Sequence, residues 1–437
     1  AAVVALVGFA VTGFFLCSSS AANDTIFSNM LAIDPFGNFF KFIILITSAL
    51  VVIISFFSKE LYTEGRTLGE YYSLIIGMTF GMFLLVGATN LIMVYLAIET
   101  MSLSSYVLAG YTKEIRRSSE ASLKYVIFGA VSSGIMIYGM SLMFGLTGSL
   151  EIADIAKVIG SMPENNAIVV VISSLMILSG IAYKISAVPF HFWTPDVYEG
   201  SPVTITAYLS IASKAAGFAV LIRFIKMGFS TGGDAWAIIG QVDWVFIIAV
   251  LSVLTMTIGN LVAVWQTNLK RLLAYSSIAH AGYMLMGVAM MTSTGVSSVL
   301  VYFFMYMLMN MGAFFFVLLI ANKIGSEELE DYTGLAYRAP ILCVSMVVFL
   351  ISLAGLPPTA GFIGKLNVFS AVLAKDGYLW LAVVGVLNSV VSLYYYAKVM
   401  RNMFLRRSDN TEKINFSLTS TIIIIALAVP NIVFGLF

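Results

Sequence analysis

The chain has 437 residues, a formal net charge of +1, 60% hydrophobic residues and only 10% charged ones. Soluble domains carry about 25% charged residues, so this chain has too few charges to cover a water-exposed surface and the bilayer is its expected solvent. A near-neutral balance also gives no electrostatic footprint for nucleic acid.

The two cysteines, Cys17 and Cys343, lie far apart in apolar runs and offer no metal-ligand spacing. Only two histidines are present, His191 and His280. The expectation is therefore no cofactor and no metal in this chain.

A spanning helix needs about 20 mostly apolar residues. In chain order that rule predicts thirteen spans, at 1–17, 37–57, 71–88, 90–110, 120–147, 167–197, 202–227, 243–264, 272–291, 296–321, 341–373, 378–403 and 417–436. The chain opens on Ala rather than Met inside an apolar run, which suggests a further helix upstream. The alternate connections around Lys59 and Arg66, Lys113, Arg116 and Arg117, Lys270 and Arg271, Lys323 and Arg338, and Arg406, Arg407 and Lys413 hold twelve basic residues. The opposite set holds only Lys157 and Lys375, so the basic set faces the cytoplasm.

Two spans are longer than a bilayer requires and carry prolines inside. The span at 167–197 has Lys184 ahead of Pro189 and Pro195, and that at 341–373 has Pro357 and Pro358 ahead of Lys365. Proline breaks a helix, and unwound backbone at membrane depth survives only where it is buried in protein or lines a wet cavity. Each break falls in the fourth of five consecutive spans, and an odd span count reverses the second block. The expected fold is thus an all-α polytopic bundle with an inverted repeat. Its parts are N-terminal spans within 1–70, a first five-helix unit at 71–227, a second at 243–405 and a C-terminal span within 406–437.

Ionisable residues inside the bilayer cost about 2.5–3.5 kcal/mol each on insertion scales and are functional candidates by default. They are Glu99, Lys124, Lys184, Lys214, His280, Lys365 and Lys398. Lys124 and Lys398 lie near span ends, where a long side chain can reach the interface. Glu99, Lys184, Lys214 and Lys365 are central. Desolvation brings a lysine towards neutrality and a nearby carboxylate restores its proton, so a Glu–Lys pair that separates and re-forms toggles proton occupancy. Glu99 and Lys184 are accordingly expected within ion-pairing range or one water apart. Ser102, Ser104 and Ser105 are candidates for lining a water path, although small polar residues also simply pack helices.

AIETMSLSSYVLAGY around Glu99, EASLKY around Lys124, VPFHFWTPDVYEGSP after Lys184, SKAAGF around Lys214, QTNLKRLLAYSSIAHAGYM around His280 and LAGLPPTAGFIGK up to Lys365 resemble the antiporter-like N subunits of bacterial NADH–quinone oxidoreductase. They are also similar to the B subunit of photosynthetic NDH complexes and, more distantly, to mitochondrial subunit 2. The resemblance runs along nearly the whole chain. It implies a proton-translocating subunit of a complex I-type enzyme in a bacterial inner membrane, with flavin, iron–sulfur clusters and quinone on partner subunits. It also implies Glu99 and Lys184 as the coupling pair, Lys214 and His280 as the central relay, Lys365 as the exit-side group, and Lys124 as a further relay residue. A component of an Mrp-type Na+/H+ antiporter is the alternative, because those relatives share the fold and the lysine sites.

Overall fold

The computed structural model describes residues 1–19, 23–62, 67–162, 166–230, 242–407 and 412–436; Arg66 lies outside them. Helix α1 (Ala2–Ser18) leads into a short antiparallel hairpin, β1 (Asp24–Ile26) with β2 (Leu31–Ile33), paired Asp24 to Ile33. Then come α2 (Pro35–Ser55), α3 (Gly69–Gly87), α4 (Leu91–Ala109), α5 (Arg116–Thr147), α6 (Ile152–Gly160), α7 (Ala167–Ile185), α8 (Trp193–Gly200), α9 (Val203–Tyr208) and α10 (Lys214–Phe229). After them follow α11 (Trp244–Val264), α12 (Leu269–Ala289), α13 (Ser293–Ile324), α14 (Leu335–Arg338), α15 (Pro340–Ala354), α16 (Ala360–Leu373), α17 (Leu379–Phe404) and α18 (Leu418–Leu436).

Among the described residues, 11 helices are long and apolar enough to cross a membrane. Helix α1 and the interrupted pair α15–α16 bring the spans to the thirteen expected. Three boundaries differ from expectation. Helices α5 and α13 both run 32 residues, roughly 48 Å at about 1.5 Å per residue, and extend past the hydrocarbon. The span at 202–227 is not one regular helix, because a π turn at Leu209–Ser213 separates α9 from α10. The amphipathic α6 and the hairpin carry too little apolar length to register as spans.

The helix starts have local causes. Asp34 caps α2 by accepting from the Gly37 amide at 2.7 Å, with Pro35 in the first turn. Asn90 caps α4 through the Ile92 amide at 2.9 Å, and Asn268 caps α12 through the Arg271 amide at 3.1 Å. Burial sorts the bundle into layers. The α9–α10 span is wholly enclosed, α12 and α13 nearly so, and α5, α17 and α18 turn broad apolar faces outward. Those faces, with Val131, Val390 and Ile422 among them, suit lipid rather than water.

The two halves share a main-chain clamp. Thr89-Asn90-Leu91 pairs with the extended segment after α5, the Leu91 amide donating to Leu150 O at 2.9 Å and the Ile152 amide to Thr89 O at 3.0 Å. Thr267-Asn268-Leu269 does the same after α13, the Leu269 amide donating to Glu327 O and the Leu329 amide to Thr267 O, each at 2.8 Å. Each long helix before the clamp ends on a glycine with positive φ, Gly148 at 68° and Gly325 at 72°, the conformation glycine adopts without steric cost.

Candidate functional site

Lys184 is the penultimate residue of α7, which stops where Ser186 takes a left-handed φ of 59° and Val188–Pro189 is cis. The side chain is buried, and its ammonium has no hydrogen-bond partner among the described residues. Three tyrosine rings surround it instead, with centroids 5.5 Å away for Tyr106 and 5.3 Å for both Tyr125 and Tyr183. Ring faces attract a cation without fixing it in place. Tyr125 stacks on Trp193 at 4.4 Å, and the Trp193 indole donates to Tyr183 O at 3.0 Å, which anchors α8 to the end of α7.

Glu99 is half-buried on α4, with one carboxylate oxygen enclosed and unpaired. Glu99 and Lys184 form no direct ion pair; Tyr106 of α4 and Tyr125 of α5 both lie beside the lysine. Buried charged atoms without partners are rare in folded proteins, and here one of each sign occurs in the same region.

Lys214 opens α10 immediately after the π turn. Such turns cluster at functional sites. Its ammonium donates to Ser277 Oγ at 2.5 Å and to Ser277 O at 2.7 Å. Ser277 lies on α12, and one turn further His280 Nδ1 meets the Tyr302 hydroxyl at 2.6 Å while Nε2 meets the Tyr396 hydroxyl at 3.3 Å. Tyr396 in turn contacts Ser276 Oγ at 2.5 Å.

The next turn of α12 presents Tyr283, whose ring centroid lies 4.6 Å from the Lys365 ammonium. Lys365 donates to Ala354 O at 2.7 Å and Ser389 Oγ at 2.8 Å. Ala354 is the last residue of α15, so the second interrupted span offers an unspent carbonyl to its lysine. Gly355 has a φ of 79°, and a Cβ there would lie 2.6 Å from Lys365 Cδ.

Helix α12 is thus the spine of the site. Ser277, His280 and Tyr283, spaced three apart along it, contact Lys214, the Tyr302 and Tyr396 hydroxyls, and Lys365 in turn. The tyrosines at 106, 125, 283, 302 and 396 and the serines at 276, 277 and 389 were not singled out by sequence reasoning. The regular spacing in YSSIAHAGYM was the available signal for part of that set.

Lys124 stands apart from this line. It is partly exposed and pairs with Asp196 at 2.6 Å and Glu120 at 2.8 Å; Arg271 also binds Asp196, at 2.6 Å, and Glu199, at 2.9 Å. Lys398 donates to Val264 O at 3.4 Å and Gln266 O at 3.0 Å, at the C-terminal end of α11, as a lysine near a span end is expected to do. Ser102 and Ser105 are buried and bond to carbonyls of their own helix, Ser102 to Ile98 O and Ser105 to Ser102 O at 2.7 Å, and Ser104 bonds to Thr100 O at 3.2 Å. Among the described residues, no group of three or more His, Cys, Asp or Glu side chains is arranged to hold a metal ion.

Two interrupted spans in matched positions, each with a buried lysine beside its break, define the antiporter-like class of membrane subunits. The family model for the membrane region of NADH:quinone oxidoreductase and Mrp antiporter subunits matches residues 88–392, and the chain belongs to that family. It is 49% identical to NADH-quinone oxidoreductase subunit N 2 of Chloroherpeton thalassium, over 99% of this chain and 85% of the relative. It is 46% identical to NADH-quinone oxidoreductase subunit N of Chlorobium chlorochromatii, over 100% and 86%. Among solved structures it resembles a chain of respiratory complex I from Thermus thermophilus with a TM-score of 0.80 and 30% identity, covering 99% of this chain and 90% of that one. The Mrp complex from Dietzia matches at 0.82 with 21% identity, over 100% and 88%, a likeness of fold alone.

Proposed function

We propose that this chain is the proton-translocating, antiporter-like membrane subunit of a complex I-type oxidoreductase, moving protons through Glu99, Lys184, Lys214, His280 and Lys365 without a redox centre of its own. Two five-span units, 71–227 and 243–405, would each hold one interrupted span, with 1–70 and 406–437 flanking them. The observation that supports the reading is the row of groups along α12, where a lysine of the first unit, a histidine bonded to two hydroxyls and a lysine of the second unit meet successive turns of one helix. Imidazole with a hydroxyl at each nitrogen can accept a proton on one side and release one on the other. Lys124, held by two carboxylates near the mouth of the bundle, would deliver protons to the line rather than sit within it.

Other membrane subunits of the assembly would contact this chain, and flavin, iron–sulfur clusters and quinone would belong to partner subunits in a bacterial inner membrane. The alternative, an Mrp-type Na+/H+ antiporter component, has the same fold. The relatives at 46–49% identity are named as oxidoreductase subunits, which favours the first reading.

The test is Lys184→Ala in the assembled complex. Proton pumping and the coupled quinone reductase rate should fall together, and Lys184→Arg should fail equally because a guanidinium does not release its proton. Unchanged rate and proton-to-electron ratio in correctly assembled Lys184→Ala complex would remove Lys184 from the relay.

A further inference from the structure

Between α15 and α17 lies a groove of about 670 Å³, lined by none of Glu99, Lys184, Lys214, His280 or Lys365. Its walls are Val344 and Val347 of α15 and Tyr394, Ala397 and Phe404 of α17, with Lys398 and Arg401 also on the α17 wall. Beyond Arg401, α17 runs into the basic connection at Arg406 and Arg407, the side that the basic set marks as cytoplasmic. Arg401 is exposed, and its guanidinium has no protein partner among the described residues. The stretch from 398 to 407, KVMRNMFLRR, has four basic residues and no acidic one.

We infer that this groove binds an anionic phospholipid of the cytoplasmic leaflet, with its phosphate on Arg401 and an acyl chain running inward along Val347, Ala397 and Tyr394. The charge matches, since an unpaired guanidinium beside a partly engaged ammonium favours phosphate over a zwitterionic headgroup. The geometry matches too. A hydrocarbon wall continuous with a basic rim, opening sideways from the bundle, fits a molecule that is apolar along its length and charged at one end. A soluble anion would use only the rim, and a peptide would leave backbone amides facing an apolar wall.

The groove is placed to matter. Its two walls are the helices that supply both partners of Lys365, Ala354 from α15 and Ser389 from α17. A lipid wedged between them would set their spacing, and with it the cradle of that lysine. The binding itself is independent of proton transfer and can be read without turnover.

The experiment places the assembled complex in nanodiscs of phosphatidylcholine containing a minor fraction of phosphatidylglycerol. Retained phosphatidylglycerol per complex is then counted by native mass spectrometry. Arg401→Gln should weaken retention roughly fivefold, the scale for one basic residue at an anionic leaflet, and Arg401→Lys should restore most of it. Val347→Trp, which fills the groove without touching the charge, should abolish retention; Val344→Phe serves if the larger ring disturbs assembly. Arg116→Gln, which removes an exposed charge at the same leaflet far from the groove, should change nothing. Equal loss in Arg116→Gln, or unchanged retention in both Arg401→Gln and the groove-filling variant, would overturn the assignment. So would loss in Arg401→Gln alone, which marks a soluble anion, or a segment of a neighbouring subunit occupying the groove.

Discussion

At the scale of single residues, the lysines differ in how they are held, and the differences set their expected responses. Lys184 is surrounded by rings, whereas Lys214 and Lys365 each donate to one hydroxyl and one carbonyl. His280 depends on its two tyrosines. Tyr302→Phe removes the shorter of its hydrogen bonds, 2.6 Å, while keeping the ring. The expected outcome is intact assembly with slowed proton transfer, read as a reduced pumping rate and a larger solvent isotope effect; a rate equal to wild type would show that the hydroxyl carries no proton. Gly355→Ala acts on shape alone. It places a Cβ against Lys365 and forces a left-handed conformation that costs about 1–2 kcal/mol for a residue with a side chain. Assembled complex should therefore denature at lower temperature and pump less, with both defects absent in a glycine-to-alanine change at the open position Gly134.

At the scale of elements, the ends and interruptions of helices do most to place the site. Asp34 caps α2 and also binds Arg223 of α10 with both oxygens, at 2.8 and 2.9 Å. Partial burial alone would raise this carboxyl, but the hydrogen bonds and charge of Arg223, with the Gly37 amide, hold it below the usual carboxylate range. A depressed folded-state value means the contribution is complete above the unfolded value of about 3.9 and is lost as pH falls through the folded one. Acid titration of the detergent-solubilised complex should therefore show destabilisation beginning below about pH 4. Asp34→Asn should remove that pH dependence and lower stability at neutral pH by about 3–5 kcal/mol, because Arg223 stays buried without its anion. The spans and their breaks were legible in the sequence because apolar length and proline have direct backbone consequences. The π turn before Lys214 was not, since LSIAS contains no residue type that demands it and packing decides the extra residue. Nor was the cage of Tyr106, Tyr125 and Tyr183 around Lys184, which brings together rings from three helices.

At the scale of the whole molecule, the proposed path runs sideways, from Glu99 on α4 to Lys365 on α16, across the junction of the two units. Groups acting in series lose function together rather than additively. Lys184→Ala and Lys365→Ala should each stall pumping, and the double variant should be little worse than the more severe single one; a product of the two separate losses would indicate parallel routes. The lysines themselves were readable as isolated charges in apolar spans, and the family resemblance ordered them. Their connection through α12 was not readable, because a side chain's partner across a bundle depends on which faces of distant helices meet.

The paired clamps at Asn90 and Asn268 have one more consequence. Both are ladders of backbone amides and carbonyls, so neither depends on which compartment it faces. A device that moves ions one way cannot take its direction from such a frame. Vectoriality must come from the points where the halves disagree: a lysine just before the interruption in one half and beyond it in the other, and a π turn in α9–α10 where α17 is regular. Substitutions that make the halves more alike at those points are the ones that should turn a pump into a leak.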